Sequence, residues 1–368
     1  METLGYAALS ATDALAPFRF VRRDPRPDDV ELDVLYCGVC HTDLHIARNH
    51  GGYTHYPVVP GHEIIGRVRR IGSSVTRFKV GDTIGVGCMV DSCQQCNPCR
   101  QGFEQHCAEG ATYTYNATDR HDRQPTYGGY SGQMVVSEKF VLNIPNGLDP
   151  AGAAPLLCAG ITTWEPLRQW QAGPGKRVAV VGLGGLGHMA LKLAKALGAE
   201  VTLFTRSPGK ENDARRLGAD RVVISSDNQQ MAAVAGQFDL IVDTVPYEHD
   251  VNPYLPTLTF NGTLVLVGYM GPLNEPVAAG ALVFGRKAIA GSFIGGVAAT
   301  QEMLDFCGQH NIVSDVEVIT IQQINEAYER MLKSDVKCTA PFFLAQIGDT
   351  FCIPPRQKIY LDCIMQNE

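Results

Sequence analysis

Arg177-Val178-Ala179-Val180-Val181-Gly182-Leu183-Gly184-Gly185-Leu186-Gly187 runs from an apolar segment straight into a glycine-rich turn. The apolar half has the length of a buried strand, and the residues after it carry a helical pattern beginning near Leu186. Each spaced glycine has a separate reason to be there. Gly182 permits the tight turn, Gly184 lets the backbone approach a pyrophosphate, and Gly187 lets helix and strand pack closely. The helix would aim its positive N-terminal end at the phosphates. Gly182, Leu183, Gly184, Gly185, Leu186 and Gly187 are therefore the predicted contacts with a dinucleotide. Three spaced glycines alone are a weak signal, but strand, turn and helix in this order make a strong one.

The surroundings agree. From about Ala151 onward the chain shows short apolar runs, EVTLFT, DRVVIS, FDLIVD and TLVLVG. Helical stretches such as Leu186–Leu197 and Lys210–Leu217 separate several of them. That alternation predicts a parallel sheet covered on both faces, an α/β domain. Residues 1–150 differ: they are rich in Gly and Pro, with β-type runs at Val30–Tyr36, Ile64–Ile71 and Gln133–Val136. They predict a mostly-β domain with long loops. Two helices follow Phe293, over Thr300–Gln309 and Gln323–Lys333.

The end of the second strand selects the dinucleotide. An Asp or Glu there would bond the ribose 2′-hydroxyl of NAD. The chain reads Phe204-Thr205-Arg206-Ser207-Pro208-Gly209-Lys210, without a carboxylate. Thr205, Ser207, Arg206 and Lys210 supply two hydroxyls and two cations suited to a 2′-phosphate, which predicts NADP(H). The alternative is an ordinary solvated loop.

Cys93, Cys96, Cys99 and Cys107 form the pattern C-x2-C-x2-C-x7-C. Four soft ligands on one tight loop suit tetrahedral zinc. A disulfide pair or free thiols are the other readings, and the lack of an export signal disfavours the first. With all four positions filled by cysteine, such a zinc would hold a loop and do no chemistry. A second set is dispersed. Cys40-His41-Thr42-Asp43-Leu44-His45, Gly61-His62-Glu63 and Cys158 are weak signals singly. In a chain with a cofactor fold they suggest Cys40, His62 and Cys158 as ligands of another zinc with one position open.

Whole-chain properties set limits. A length of 368 residues suggests two domains, and 45% hydrophobic content fills sizeable cores. A net charge of −7 argues against a nucleic-acid surface. No run of about 18 apolar residues occurs, so no membrane span is expected, and the N-terminus lacks the pattern of a signal peptide. Twelve cysteines without an export signal point to a reducing, cytoplasmic setting.

GHExxGxV (Gly61–Val68), VGDxIGVG (Val80–Gly87), the cysteine loop and GLGGLGHMA together resemble the zinc-dependent medium-chain alcohol dehydrogenase family. CGVCHTDLH, TYGGYS and SFIGG…TQEMLDFC resemble its cinnamyl-alcohol-dehydrogenase-like, NADP-dependent branch. The resemblance runs from about Cys37 to Lys337. It implies a discontinuous GroES-like catalytic domain over residues 1–150 plus 293–368, with a Rossmann NADP-binding domain over 151–292. It implies two zinc ions per chain. Cys40, His62 and Cys158 would hold the catalytic one, with Glu63 as a transient ligand and Asp43 orienting His62. The cysteine loop would hold the structural one. Thr42 would bond the reacting oxygen and pass a proton through the cofactor ribose to His45. Further cofactor contacts would be Thr162, Thr244, Gly268, Ser292, Phe293 and Ile294.

The implied activity is hydride transfer between NADP(H) and primary alcohols or aldehydes, broad and including aromatic, cinnamyl-type substrates. His50–Tyr53, Tyr113–Tyr115, Phe284 and Phe293 would line the substrate pocket, and Tyr113 stands where plant members often carry Trp. A homodimer through the Rossmann sheet edge is implied as well, and no membrane or nucleic-acid partner. Two other readings stay open: a polyol or secondary-alcohol dehydrogenase, and a non-catalytic dinucleotide- or zinc-binding protein. The second rests on the C-terminus. Family members continue past Lys337 with an aromatic–basic–apolar strand, whereas this chain reads Cys338-Thr339-Ala340-Pro341-Phe342-Phe343, then a tail with Pro354-Pro355.

Overall fold

The computed structural model describes residues 1–273 and 275–333, with the backbone of 360–361. The atypical segments Cys338–Phe343 and Pro354–Pro355 lie outside the described residues. The chain divides into two compact units, residues 1–158 with the segment from Gly295, and residues Ala159–Ile294.

The first unit is mostly β. Strands β1 (Glu2–Ala7) and β2 (Ala16–Val21) form an antiparallel hairpin. The centre is an eleven-residue strand, β3 (Asp29–Val39), and beside it runs β4 (Ile64–Ile71). Next come β5 (Thr83–Val86), a small ribbon of β6 (Met89–Asp91) and β7 (Thr112–Tyr113), then β8 (Gln133–Ser137) and β9 (Leu142–Asn143). The sheet runs β3-β4-β5-β9 with β8 on β3, and the short segment Tyr360–Leu361 lies parallel to Gly38–Val39. Val30, Leu32 and Val34 alternate along β3 and are buried, as a period of two requires. Glu31, on the opposite face, pairs with Arg69 and Arg70. The helix Val297–His310 belongs to this unit and ends on Asn311 at φ 52°, a left-handed position that asparagine tolerates.

The second unit is the doubly wound parallel sheet that the glycine turn implies. Strands β10 (Arg177–Val181), β11 (Glu200–Thr205), β12 (Arg221–Ile224), β13 (Phe238–Asp243), β14 (Leu258–Leu266) and β15 (Ala288–Gly291) are all parallel. Their order is β12-β11-β10-β13-β14-β15. The chain reverses direction across the sheet between β10 and β13, where open α/β sheets bind ligands. The GroES-like and Rossmann architectures read from the sequence are both present.

Differences from the sequence reading have local causes. The helix after the glycines starts at Gly185, and the stretch from Lys210 splits into a 3-10 turn, Pro208–Lys210, and a helix, Glu211–Arg216. Strand β14 begins five residues before the TLVLVG run and crosses Asn261 at φ 67°, a turn-type residue that hid the extension. Strand β15 is only half-buried, and its four residues, AIAG, are too few and too small to mark a strand.

One core cluster of the second unit centres on Phe204, which is fully buried and meets Phe238 edge-on at 5.3 Å. Phe204→Ala should cost about 3–5 kcal/mol, seen as an earlier urea transition. A change under about 1 kcal/mol would mean that this packing does not hold the unit together.

Candidate active site

Cys40 follows β3 and caps the helix His41–Ala47; His62 and Glu63 directly precede β4; Cys158 ends the 3-10 turn Ala154–Leu157. Three separate elements of one unit thus converge. All four side chains are buried, and one ligand atom from each lies within 4.8 Å of the others. Cys40 Sγ and Cys158 Sγ are 4.0 Å apart. Two thiolates on one tetrahedral zinc, with Zn–S of about 2.3 Å, lie about 3.8 Å apart, so the spacing fits such an ion and is too long for a disulfide. The Cys40 thiol is pushed well above its usual value, first by its hydrogen bond with Cys158 and then by burial. A divalent cation reverses that preference, since a coordinated thiol is deprotonated. The carboxylate of Glu63 lies over the Gly38 backbone: a Cβ there would fall 1.7 Å from Glu63 Oε2. Only glycine leaves that room.

Asp43 organises the group. It is fully buried and accepts from Cys40 N–H at 2.9 Å, Gly61 N–H at 3.0 Å, and Tyr130 OH at 3.1 Å. His62 Nδ1 lies 3.0 Å from Asp43 Oδ1. Burial alone would raise the Asp43 carboxyl; the His62 charge and hydrogen bond, then the Cys40 N–H, hold it below its ordinary value. An Nδ1–H donated to the carboxylate leaves Nε2 as the metal-facing nitrogen. Thr42 is the second helical residue and is exposed, as is His45 one turn on. Residues three apart share one helix side. His45 Nδ1 lies 2.7 Å from His50 Nδ1.

The four-cysteine loop closes on itself in the same unit. Cys93, Cys96, Cys99 and Cys107 have sulfurs within 4.8 Å of one another, with Cys93–Cys99 at 3.9 Å. Backbone N–H groups of Cys93, Cys96 and Ala108 each lie 3.4 Å from a cysteine sulfur and favour the thiolate. The bond from Ala108, then that from Cys99, pulls Cys96 down to about 6. Pro98 in the first turn of the helix Asn97–Arg100, and Gly102 at φ 80°, give the loop its turns.

In the second unit the glycine turn opens a cleft of about 380 Å³. Gly182 sits at φ 89°, and a Cβ on Gly187 would fall 2.2 Å from Gly182 O, so the turn needs both glycines. Thr244 Oγ1 donates to Val181 O at 2.7 Å and clips the turn to the neighbouring strand end. Gly182, Leu183, Gly184, Leu186, Thr205, Arg206, Ser207, Lys210 and Thr244 line the cleft. Gly185 opens the helix behind it. Gly268, Thr162, Ser292, Phe293 and Ile294 are not among its lining residues. Thr162 is buried in the helix Ala159–Gln169, and Ile294 adopts φ 35°, which β-branched residues seldom take. Arg206 is exposed, donates to Tyr247 OH at 2.8 Å, and makes no ion pair among the described residues. Its charge is available to a phosphate, and no carboxylate stands between Thr205 and Lys210. These features fit NADP(H).

Sequence reasoning missed several neighbours. Tyr247 and His249 line the cleft, with His249 Nε2 2.7 Å from Asp243 Oδ2; a lone Tyr and His in a loop gave no pattern to find. Cys88 lies 3.7 Å from Leu157 O and shifts the Cys158 thiol upward, after the opposing effect of Cys40. Tyr115 is buried with its ring 5.8 Å from that of His62, so it packs against the candidate metal site, whereas Tyr53 and Tyr113 are exposed. Phe284 is 94% exposed in its own unit.

Comparison with known proteins bears on this geometry. The family described as Alcohol dehydrogenase GroES-like domain matches residues 26–146, and Zinc-binding dehydrogenase matches 185–309. The chain is 52% identical to NADP-dependent alcohol dehydrogenase C 1 of Mycolicibacterium smegmatis, over 90% of this chain and 95% of that one. It is 50% identical to aldehyde reductase YahK of Escherichia coli, over 92% and 97%. It is 49% identical to a probable mannitol dehydrogenase of Fragaria ananassa, over 94% and 95%. Among solved structures, cinnamyl alcohol dehydrogenase SbCAD4 of Sorghum bicolor superposes with a TM-score of 0.88 at 46% identity, covering 91% of this chain and 96% of that one. With both of its units matched and half of its residues shared along nearly its whole length, the chain belongs to the zinc-dependent medium-chain alcohol dehydrogenases, in their cinnamyl-alcohol-dehydrogenase-like branch.

Proposed function

We propose that the chain is an NADP(H)-dependent zinc alcohol dehydrogenase acting chiefly as a broad aldehyde reductase on primary aldehydes, aromatic ones included. The observation that carries this reading is the buried Cys40–His62–Glu63–Cys158 cluster, with a Cys2His set that leaves one position for a substrate oxygen. Cys93, Cys96, Cys99 and Cys107 hold a second, closed zinc, giving two per chain. When bound, zinc polarises the carbonyl and NADPH supplies the hydride.

The chain's own residues do the rest. Asp43 fixes the His62 ring, and Glu63 stands ready as a further oxygen ligand. Arg206, Thr205, Ser207 and Lys210 select the 2′-phosphate. The Thr42 hydroxyl gives a proton to the oxygen of the reduced carbonyl, and His45 restores it from solvent. His45 is exposed, and partial desolvation of its ring, then the His50 charge, lowers it below its ordinary value. The aromatic residues Tyr53 and Tyr113 present apolar surface to the substrate. None of the nine described cysteines is in a disulfide, and six of them are the metal ligands of this reading, which supports a reducing, cytoplasmic location. No helix among the described residues is long and apolar enough to cross a membrane. A polyol dehydrogenase is the second reading, favoured by the likeness to the probable mannitol dehydrogenase.

The test is NADPH oxidation with benzaldehyde and cinnamaldehyde, beside mannitol oxidation with NADP. Aldehyde turnover that prefers NADPH is expected, with Arg206→Ala raising the NADPH KM about ten- to a hundredfold and sparing NADH. No turnover by zinc-loaded protein would reject the reading, and faster mannitol oxidation would favour the second one.

Because reduction consumes a proton, its kcat should fall as pH rises through the lowered His45 value, on the acid side of the ordinary histidine range. His45→Gln should flatten that limb of the profile; an unchanged limb would remove His45 from the relay.

The exposed edge of β15, with Phe260, Val283 and Phe284 exposed in the same unit, supports a homodimer through the Rossmann sheet. Sedimentation equilibrium should give twice the mass of the chain; a single-chain mass at micromolar concentration would exclude it.

A further inference from the structure

The TYGGYS segment, Thr126–Ser131, has no part in the scheme above, yet it lies against the metal cluster. Its backbone bonds the residues just before His62. Gly128 N–H donates to Val59 O at 2.7 Å, Gly129 N–H to Gly61 O at 2.9 Å, and Tyr130 N–H to Pro60 O at 3.0 Å. The approach is so close that side chains are excluded. A Cβ on Gly128 would fall 2.3 Å from Pro60 O, and one on Gly129 would fall 2.4 Å from Ile64 Cγ1. Beyond these contacts Tyr130, fully buried, donates its hydroxyl to Asp43 Oδ2, while Oδ1 of the same carboxylate faces His62 Nδ1.

Behind the segment sits Arg22, just past β2 and 9% exposed. Its fork donates to Tyr127 O at 2.6 Å, Gly128 O at 2.9 Å, Ser131 Oγ at 2.8 Å and Gln133 O at 3.0 Å. Among the described residues no carboxylate pairs with it. A buried guanidinium spent mainly on one segment is costly unless that segment's shape matters. Burial lowers it to about 9, so it stays charged at neutral pH.

We propose that the Arg22-clamped segment Tyr127–Ser131 is the template that holds His62 in its metal-binding pose, with Tyr130 a positioning residue acting through Asp43. The inference rests on the catalytic-zinc reading above. Removing the Tyr130 hydroxyl takes one hydrogen bond from Asp43, leaving the His62 ring less firmly held.

The experiment follows zinc release from the purified holoenzyme to a chromophoric chelator, in wild type, Tyr130→Phe and Arg22→Lys. Wild type should release two ions in separable phases, and Cys40→Ser should abolish one of them. Absence of that phase in wild type sinks the zinc reading itself. If it is present, Tyr130→Phe should release that ion about 10–100 times faster and leave the four-cysteine ion unchanged. Cobalt placed in the first site should show a shifted visible absorption band in the same variant. Arg22→Lys, which keeps the charge but loses the fork, should act in the same direction. Unchanged release of the first ion in Tyr130→Phe, or equal acceleration of both ions, would overturn the proposal and leave the segment a purely structural loop.

Discussion

The Asp43 carboxylate is the constraint on which the metal cluster depends. A buried, ionised carboxylate is unfavourable by several kcal/mol unless its oxygens are fully bonded. Here the start of a helix, a glycine turn, an imidazole and a distant tyrosine all bond it. Each is thereby fixed relative to the others. Cys40 sits at the helix cap that Asp43 closes, and His62 follows Gly61, whose N–H Asp43 accepts, so two of the proposed metal ligands are tied to one carboxylate. Gly61 adopts φ 102°, and a Cβ there would meet Cys37 Sγ and Tyr130 Cδ1 at 2.7 Å. The turn, the tyrosine and the acid form one packed arrangement.

The second unit solves a different problem by a related route. It must bring bare backbone to a pyrophosphate, so its contacts are glycines and strand ends rather than a buried charge. Thr244 plays there the tying part that Asp43 plays in the first unit, clipping Val181 to the neighbouring strand end. Arg206 is held by Tyr247 through a hydrogen bond and by its ring at 5.7 Å, which orients the cation without neutralising it.

The legible parts of the chain were those where chemistry forces a local pattern. The glycine turn needs its spacing within eleven residues, and the cysteine quartet within fifteen, so both stood out. Cys40, His62 and Cys158 are 118 residues apart at their extremes, so each was a weak signal alone; the cofactor fold suggested them together, and the resemblance added Glu63 and Asp43. The β1–β2 hairpin and strand β15 were not legible, because short, half-buried strands owe their existence to partners far along the chain. Tyr130 and Arg22 were silent for the same reason. Their role lies in hydrogen bonds across 87 and 106 residues, and no local spacing encodes those.

On this reading the protein has two metal positions, and only the one beside Asp43 has an open coordination position. Anomalous diffraction at the zinc edge from crystals of the purified protein tests it most directly. The account predicts two peaks per chain, one among Cys40, His62 and Cys158 and one among Cys93, Cys96, Cys99 and Cys107. A single peak in the four-cysteine loop of zinc-replete protein would contradict it.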